Sequence, residues 1–152
     1  MIGLIFGRGV EGLPPPVPLD FSALPTPASP NWWVALPPGE SGPAGRSEAH
    51  ALPPVEAAAV WGALLGVAER MPRCTLMAAW PERWQAQWVV RSRLMNFPDI
   101  VVAEVVARPG GAGLRLHSRS LLGWSDMGVN RARVGAWLAA LDAALAPAGR
   151  GG

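Results

Sequence analysis

Between Leu114 and Leu145 the spacing of apolar residues changes once, from alternation to a helical period, and the change falls at a turn bounded by two glycines. In the first half, LRLHSRS, Leu114, Leu116, Ser118 and Ser120 point one way, while Arg115, His117, Arg119 and Leu121 point the other. One face should pack and the other should meet solvent. In the second half, Val134, Trp137, Leu138, Leu141 and Leu145 fall on a single helical stripe. Between the halves, Gly123 and Gly128 bracket Trp124-Ser125-Asp126-Met127 and allow backbone angles that other residues avoid. Ser125 and Asp126 are expected to hold this turn, and Asn130 to cap the helix ahead of Arg131.

The prolines divide the rest of the chain. Of 17 prolines among 152 residues, 12 lie at or before Pro54, and Leu13 to Pro54 has no sustained helical or strand period. Residues 1–51 are therefore expected to form an extended, irregular proline-rich arm, 52–147 an α+β domain, and 148–152 a disordered tail. About 100 residues suffice for one modest core.

From Leu52 onward a helix opens behind Pro53 and Pro54, with Ala58, Trp61, Leu64, Leu65, Ala68 and Met71 as its apolar stripe, and stops at Pro72. Arg73 to Ala79 reads as a strand. Residues 80–95 fit two templates, since Trp80, Trp84 and Trp88 recur every four residues, yet Trp84 to Leu94 also alternates. Asn96-Phe97-Pro98-Asp99 turns the chain, Ile100 to Arg108 is β-branched and strand-like, and Pro109-Gly110-Gly111 turns it again.

Charge is unevenly distributed. Residues 1–69 hold two arginines against six acids, and residues 70–152 hold 11 against five. This basic C-terminal part favours an anionic ligand or protein partner. With neither lysine nor tyrosine in the chain, little titrates between about pH 9 and 12, so the high isoelectric point is no argument for nucleic acid. Cys74, as the single cysteine, cannot form an intramolecular disulfide and reads as a small buried side chain. The opening MIGLIFGRG is too short in apolar residues for a signal-peptide core or a membrane span, so a cytoplasmic protein is expected.

Several chemistries fail on spacing. Gly7-Arg8-Gly9-Val10-Glu11-Gly12 fits a dinucleotide pattern, but the prolines behind it cannot supply the helix that would hold a pyrophosphate. Gly123 to Gly128 resembles a nucleophile elbow with its second glycine one position late and no histidine after it. His117 and Ser118 lie on opposite strand faces and form no nucleophile and base pair. His50, His117 and Cys74 lack metal spacing, so neither a metal nor another cofactor is expected.

Ser118-Arg119-Ser120, Gly123, Ser125-Asp126, Gly128 and Asn130-Arg131, preceded by Phe97-Pro98-Asp99, resemble the family described as domain of unknown function 1499. The resemblance runs from about Asp20-Phe21 and Pro30-Asn31-Trp32 to Leu145, with the C-terminal motif as its specific part. It implies an α+β domain with an antiparallel sheet, a strand over Trp84 to Leu94, and no particular reaction. Two departures stand out: Leu121 occupies a place where relatives often have arginine, and His117 one where another basic or aromatic residue is common. Relatives often carry an N-terminal membrane anchor, which MIGLIFGRG does not resemble.

Together these readings predict an antiparallel four-stranded sheet packed against two helices, with the arm outside it. The outer sheet face would gather Arg91, Arg93, Arg115, His117 and Arg119, a set suited to carboxylate or phosphate recognition by a non-enzymatic binding module. Two alternatives accompany it. Asp99 and Asp126 could converge as a carboxylate-assisted hydrolase, or Trp61, Trp84, Trp88 and Trp137 could line an apolar cavity between sheet and helices. Nucleic acid fits less well, because Trp84 and Trp88 alternate away from the arginines.

Overall fold

A computed structural model of the chain describes residues 2–25, 30–122 and 128–147. A short helix α1 (Ile2–Phe6) leads into an irregular segment that ends in a 3-10 turn at Phe21–Ala23. Asp20 caps that turn, accepting hydrogen bonds from the Ser22 amide and hydroxyl at 2.9 and 2.6 Å. Strands β1 (Trp32–Leu36) and β2 (Ser47–Ala49) follow, then helix α2 (Ala57–Arg70). The antiparallel run β3 (Cys74–Trp80), β4 (Gln85–Arg91), β5 (Pro98–Arg108) and β6 (Gly111–Ser120) comes next, and helix α3 (Val129–Leu145) closes the chain.

The four expected strands are all present as β3 to β6, but the sheet is six-stranded and mixed, in the order β2-β1-β6-β5-β4-β3. The expected four-stranded antiparallel sheet is thus corrected by two strands from the proline-rich arm. β1 pairs antiparallel with β6, and β2 pairs parallel with β1. Prolines 30, 37 and 38 punctuate β1 rather than forbid it, leaving Trp32 to Leu36 free to donate to the ladder. All five β1 residues are buried, so this strand has no amphipathic alternation to betray it.

Within residues 80–95 the strand alternative prevails, over Gln85–Arg91, a shorter span than the Trp84 to Leu94 that the resemblance implied. The helical signal of Pro81-Glu82-Arg83 is spent in a single 3-10 turn, ended by Trp84 in the left-handed conformation (φ 54°), and β4 starts at Gln85. Both helices lie on one face of the sheet. α3 buries Val134, Trp137, Leu138 and Leu141 as its period predicts. α2 begins at Ala57, three residues beyond Pro54, and buries Val60, Leu64, Val67 and Ala68, so its stripe is rotated from the expected one and Ala58 is exposed. Between helices and sheet lies the main core, where Trp88 meets Trp137 edge-on at 5.2 Å and Trp61 meets Trp84 at 6.3 Å. These tryptophans fill that layer with one another.

The opposite face is not wet. Val34, Val89, Ile100 and Val102 form apolar clusters there, beneath Leu13, Leu19, Phe21 and Leu24 of the N-terminal segment. The molecule therefore has three layers: helices, sheet and arm. Among the described residues no helix is long and apolar enough to cross a membrane.

Candidate functional site

Alternation places Gln85, Gln87, Arg91, Glu104, Arg115, His117 and Arg119 on the arm-side face, in register across β4, β5 and β6. Most of this polar set is engaged internally. The Gln85 side-chain amide accepts from the Leu19 backbone N–H at 2.7 Å and donates to the Leu19 carbonyl at 2.8 Å, gripping both backbone polar groups of one arm residue. Gln87 donates to the Val17 carbonyl. Arg91, only 4% exposed, donates to the carbonyls of Leu4 (2.6 Å), Gly9 (3.0 Å), Glu11 (2.9 Å) and Asn96 (3.1 Å). It is an internal clasp for the N-terminal turn, whose Ile5 and Gly7 carbonyls are held in addition by Asn96.

Arg115 is bridged by Glu40 at 2.7 Å and Glu104 at 3.0 Å; burial opposes its charge, but these acids outweigh burial and raise its pKa. Arg108 pairs with Glu40 as well. Arg93 lies beyond the end of β4, exposed in the turn before β5 beside Leu94 and Met95, and so does not share the face with the others.

His117 and Arg119 differ from all of these. They line a recess of about 430 Å³ between sheet and arm, floored by Met77, Ile100, Val102 and Leu121 and roofed by Pro14–Leu19. His117 is 1% exposed, and neither ring nitrogen has a hydrogen-bond partner among the described residues. Its imidazole stacks on Trp32 with centroids 5.7 Å apart. Burial, with the Arg119 charge as a smaller contribution, lowers the His117 pKa to about 4, so the ring is neutral at physiological pH. Arg119 is exposed on its outer side, makes no ion pair among the described residues, and has its pKa lowered by the burial of the remainder. Among the described residues no acidic side chain lines the recess.

On the helix side a second polar cluster joins β5, β6 and α3. Ser118 donates to Asn130 Oδ1 at 2.6 Å, Asn130 donates to the Asn31 carbonyl at 3.0 Å and to Ser120 at 2.9 Å, and Arg133 contacts Ser118, Asn130 and Asp99. The Arg133–Asp99 bridge is 2.8 Å long and nearly buried. The motif residues thus fasten β1, β5 and β6 to α3. Two expectations are corrected. Asn130 is not the N-cap, which is Gly128 at φ 83°; it is the second residue of α3, fully buried. Asp99 does not sit in a turn but inside β5. Arg131 lies with its guanidinium 4.6 Å from the Trp33 ring centre. Gly123, Ser125 and Asp126 lie outside the described residues, as does any approach of Asp126 to Asp99.

The sequence reading missed Met77, Ile100, Val102 and the proline roof as parts of one site. A signal was present: Ile100-Val-Val-Ala-Glu-Val-Val is apolar at both parities, which marks a strand covered on both faces. Among the described residues no three His, Cys, Asp or Glu side chains are grouped to hold a metal. Cys74 is partly buried, and burial raises its pKa to about 11, keeping it a thiol.

The family model described as "Protein of unknown function (DUF1499)" matches residues 22–141, spanning every strand and most of α3. The chain belongs to this family. No curated protein and no solved structure matches it. The matched DUF1499 region begins inside the arm, at the 3-10 turn, and so includes β1 and β2 as well as the β3–β6 run.

Proposed function

We propose that this DUF1499 chain is a non-enzymatic binding module that takes a small ligand into the recess between the arm and the sheet. The observation that carries this reading is His117, a buried imidazole whose two nitrogens have no partner among the described residues and which lines an apolar recess, on a sheet face where Gln85, Gln87, Arg91 and Arg115 are matched. Leaving a buried donor or acceptor unmatched costs about 1–3 kcal/mol, and a ligand that supplies the missing hydrogen bond recovers it. The recess volume lies within the range typical of small-molecule sites.

The basic sheet face therefore contracts as a candidate site, from five residues to His117 and Arg119. The hydrolase alternative gains nothing from Asp99, whose carboxylate is bound to Arg133. The apolar-ligand alternative moves to the other side of the sheet, away from the tryptophans.

The test is amide and methyl NMR of the isotopically labelled chain during titration with a small-fragment library. Binding in the recess predicts shifts concentrated at Met77, Ile100, Val102 and His117, and their loss in Met77→Trp, which fills the floor from the sheet edge. A library that moves none of these signals, or moves them equally in Met77→Trp, would sink the proposal.

A further inference from the structure

We infer that the ligand of this recess is a carboxylate-headed amphiphile, an alkyl or aryl monocarboxylic acid whose head group lies between Arg119 and His117 and whose apolar body lies along Met77, Ile100 and Val102. The inference rests on the binding reading above and adds the class of ligand to it. Among the described residues, Arg119 is the one cationic group lining the recess, His117 is a neutral imidazole there, and no acid lines it to compete. One guanidinium matches one negative charge, and its planar fork donates two parallel hydrogen bonds to a carboxylate.

Placement follows from the strand. His117 and Arg119 are two positions apart on β6 and face the same side, which puts them about 7 Å apart along the strand. A head group between them reaches the guanidinium with one edge and an imidazole N–H with the other. The carboxylate would then satisfy one nitrogen of a ring that has no partner among the described residues.

The remainder of the ligand is set by the lining. Apart from His117, Arg119 and Gln87, the side chains that line the recess are aliphatic, methionine or proline. Gln87 already donates to the Val17 carbonyl. A volume of about 430 Å³ equals that of roughly 14 waters at about 30 Å³ each, and so suits a molecule on the order of a dozen non-hydrogen atoms. Decanoate has that size and serves as the probe.

Calorimetric titration of the full chain with decanoate, 1-decanol and decyl phosphate, all below their aggregation limits, tests the head-group assignment. The expected result is decanoate binding at least tenfold tighter than 1-decanol. In Arg119→Gln, whose exposed position favours normal folding, that preference should vanish while 1-decanol binding holds. A second readout is the His117 imidazole nitrogen resonance, which should move with decanoate and not with 1-decanol.

Equal affinity for decanoate and 1-decanol would overturn the carboxylate and leave the pocket standing. Tighter binding of decyl phosphate would overturn it in favour of a doubly charged head. If neither amphiphile binds while library fragments still shift Ile100 and Val102, the ligand class is wrong but the binding site survives. Failure of fragments and amphiphiles together would overturn both, with water filling the recess.

Discussion

Burial holds the His117 imidazole neutral down to a pKa of about 4, against an ordinary value of 6.5, and the neighbouring Arg119 charge works in the same direction. The linkage has a definite sign. Above pH 6.5 neither the folded nor the unfolded ring binds a proton, and stability is unaffected. Between 6.5 and about 4 the unfolded chain takes up a proton that the folded chain refuses, so stability falls as pH falls, and below about 4 the loss is complete. The full shift corresponds to about 3 kcal/mol. Urea denaturation of wild type and His117→Gln at about pH 7 and about pH 4.5 checks it: the variant should lose markedly less stability on acidification. Parallel losses in the two proteins would refute the assignment. Strand parity alone placed His117 and Arg119 on one face, together with Arg91 and Arg115. What parity could not reveal was that Arg91, on the same face, is bound to carbonyls 80 or more residues earlier in the chain. Local alternation reports which way a side chain points, and only tertiary structure reports what waits there.

Elements with an amphipathic period or clear punctuation were legible, and elements buried on both faces were not. α3 shows its stripe in the sequence, and β3, β5 and β6 are bounded by Pro72, Pro98 and Pro109-Gly110. β1 is a five-residue apolar run inside a proline-rich stretch, and β2 has three residues whose pairing depends on β1. Neither carries a period long enough to register. Asn130 was misread for a related reason, since a short polar residue at the start of a helix can cap that helix or bond elsewhere, and here it reaches Ser118, Ser120 and the Asn31 carbonyl. The N-terminal turn depends on Arg91 in the same non-local way. Arg91→Gln removes a charged donor from the Leu4, Gly9, Glu11 and Asn96 carbonyls, and hydrogen bonds to charged groups contribute about 1.5–3 kcal/mol each without adding fully. A destabilisation of about 3 kcal/mol is expected, with hydrogen exchange accelerating in residues 4–13 before it does in β4 to β6. Uniform acceleration across the sheet would show that the clasp is not local.

At the scale of the whole molecule, the arm completes the fold. It supplies two strands and the third layer, and it forms the roof of the recess. Residues 52–147, the span expected from composition to form the α+β domain, would keep β3 to β6 and both longer helices but lose β1 from the edge of β6. That edge carries a row of unpaired backbone groups, and beside it Val89, Ile100 and Val102 would lie bare. This fragment is predicted to be oligomeric or aggregated by light scattering. A chain starting at residue 25 is the informative control, because it retains β1 and β2 while removing the cover over Ile100 and Val102. It should keep the sheet signal in circular dichroism, bind an apolar dye that the full chain excludes, and lose decanoate binding with the recess roof. A 52–147 fragment that melts cooperatively as a monomer would show instead that the arm decorates an independent domain. The three-layer account predicts the opposite, since both the β6 edge and the arm-side apolar cluster are covered by residues before 52.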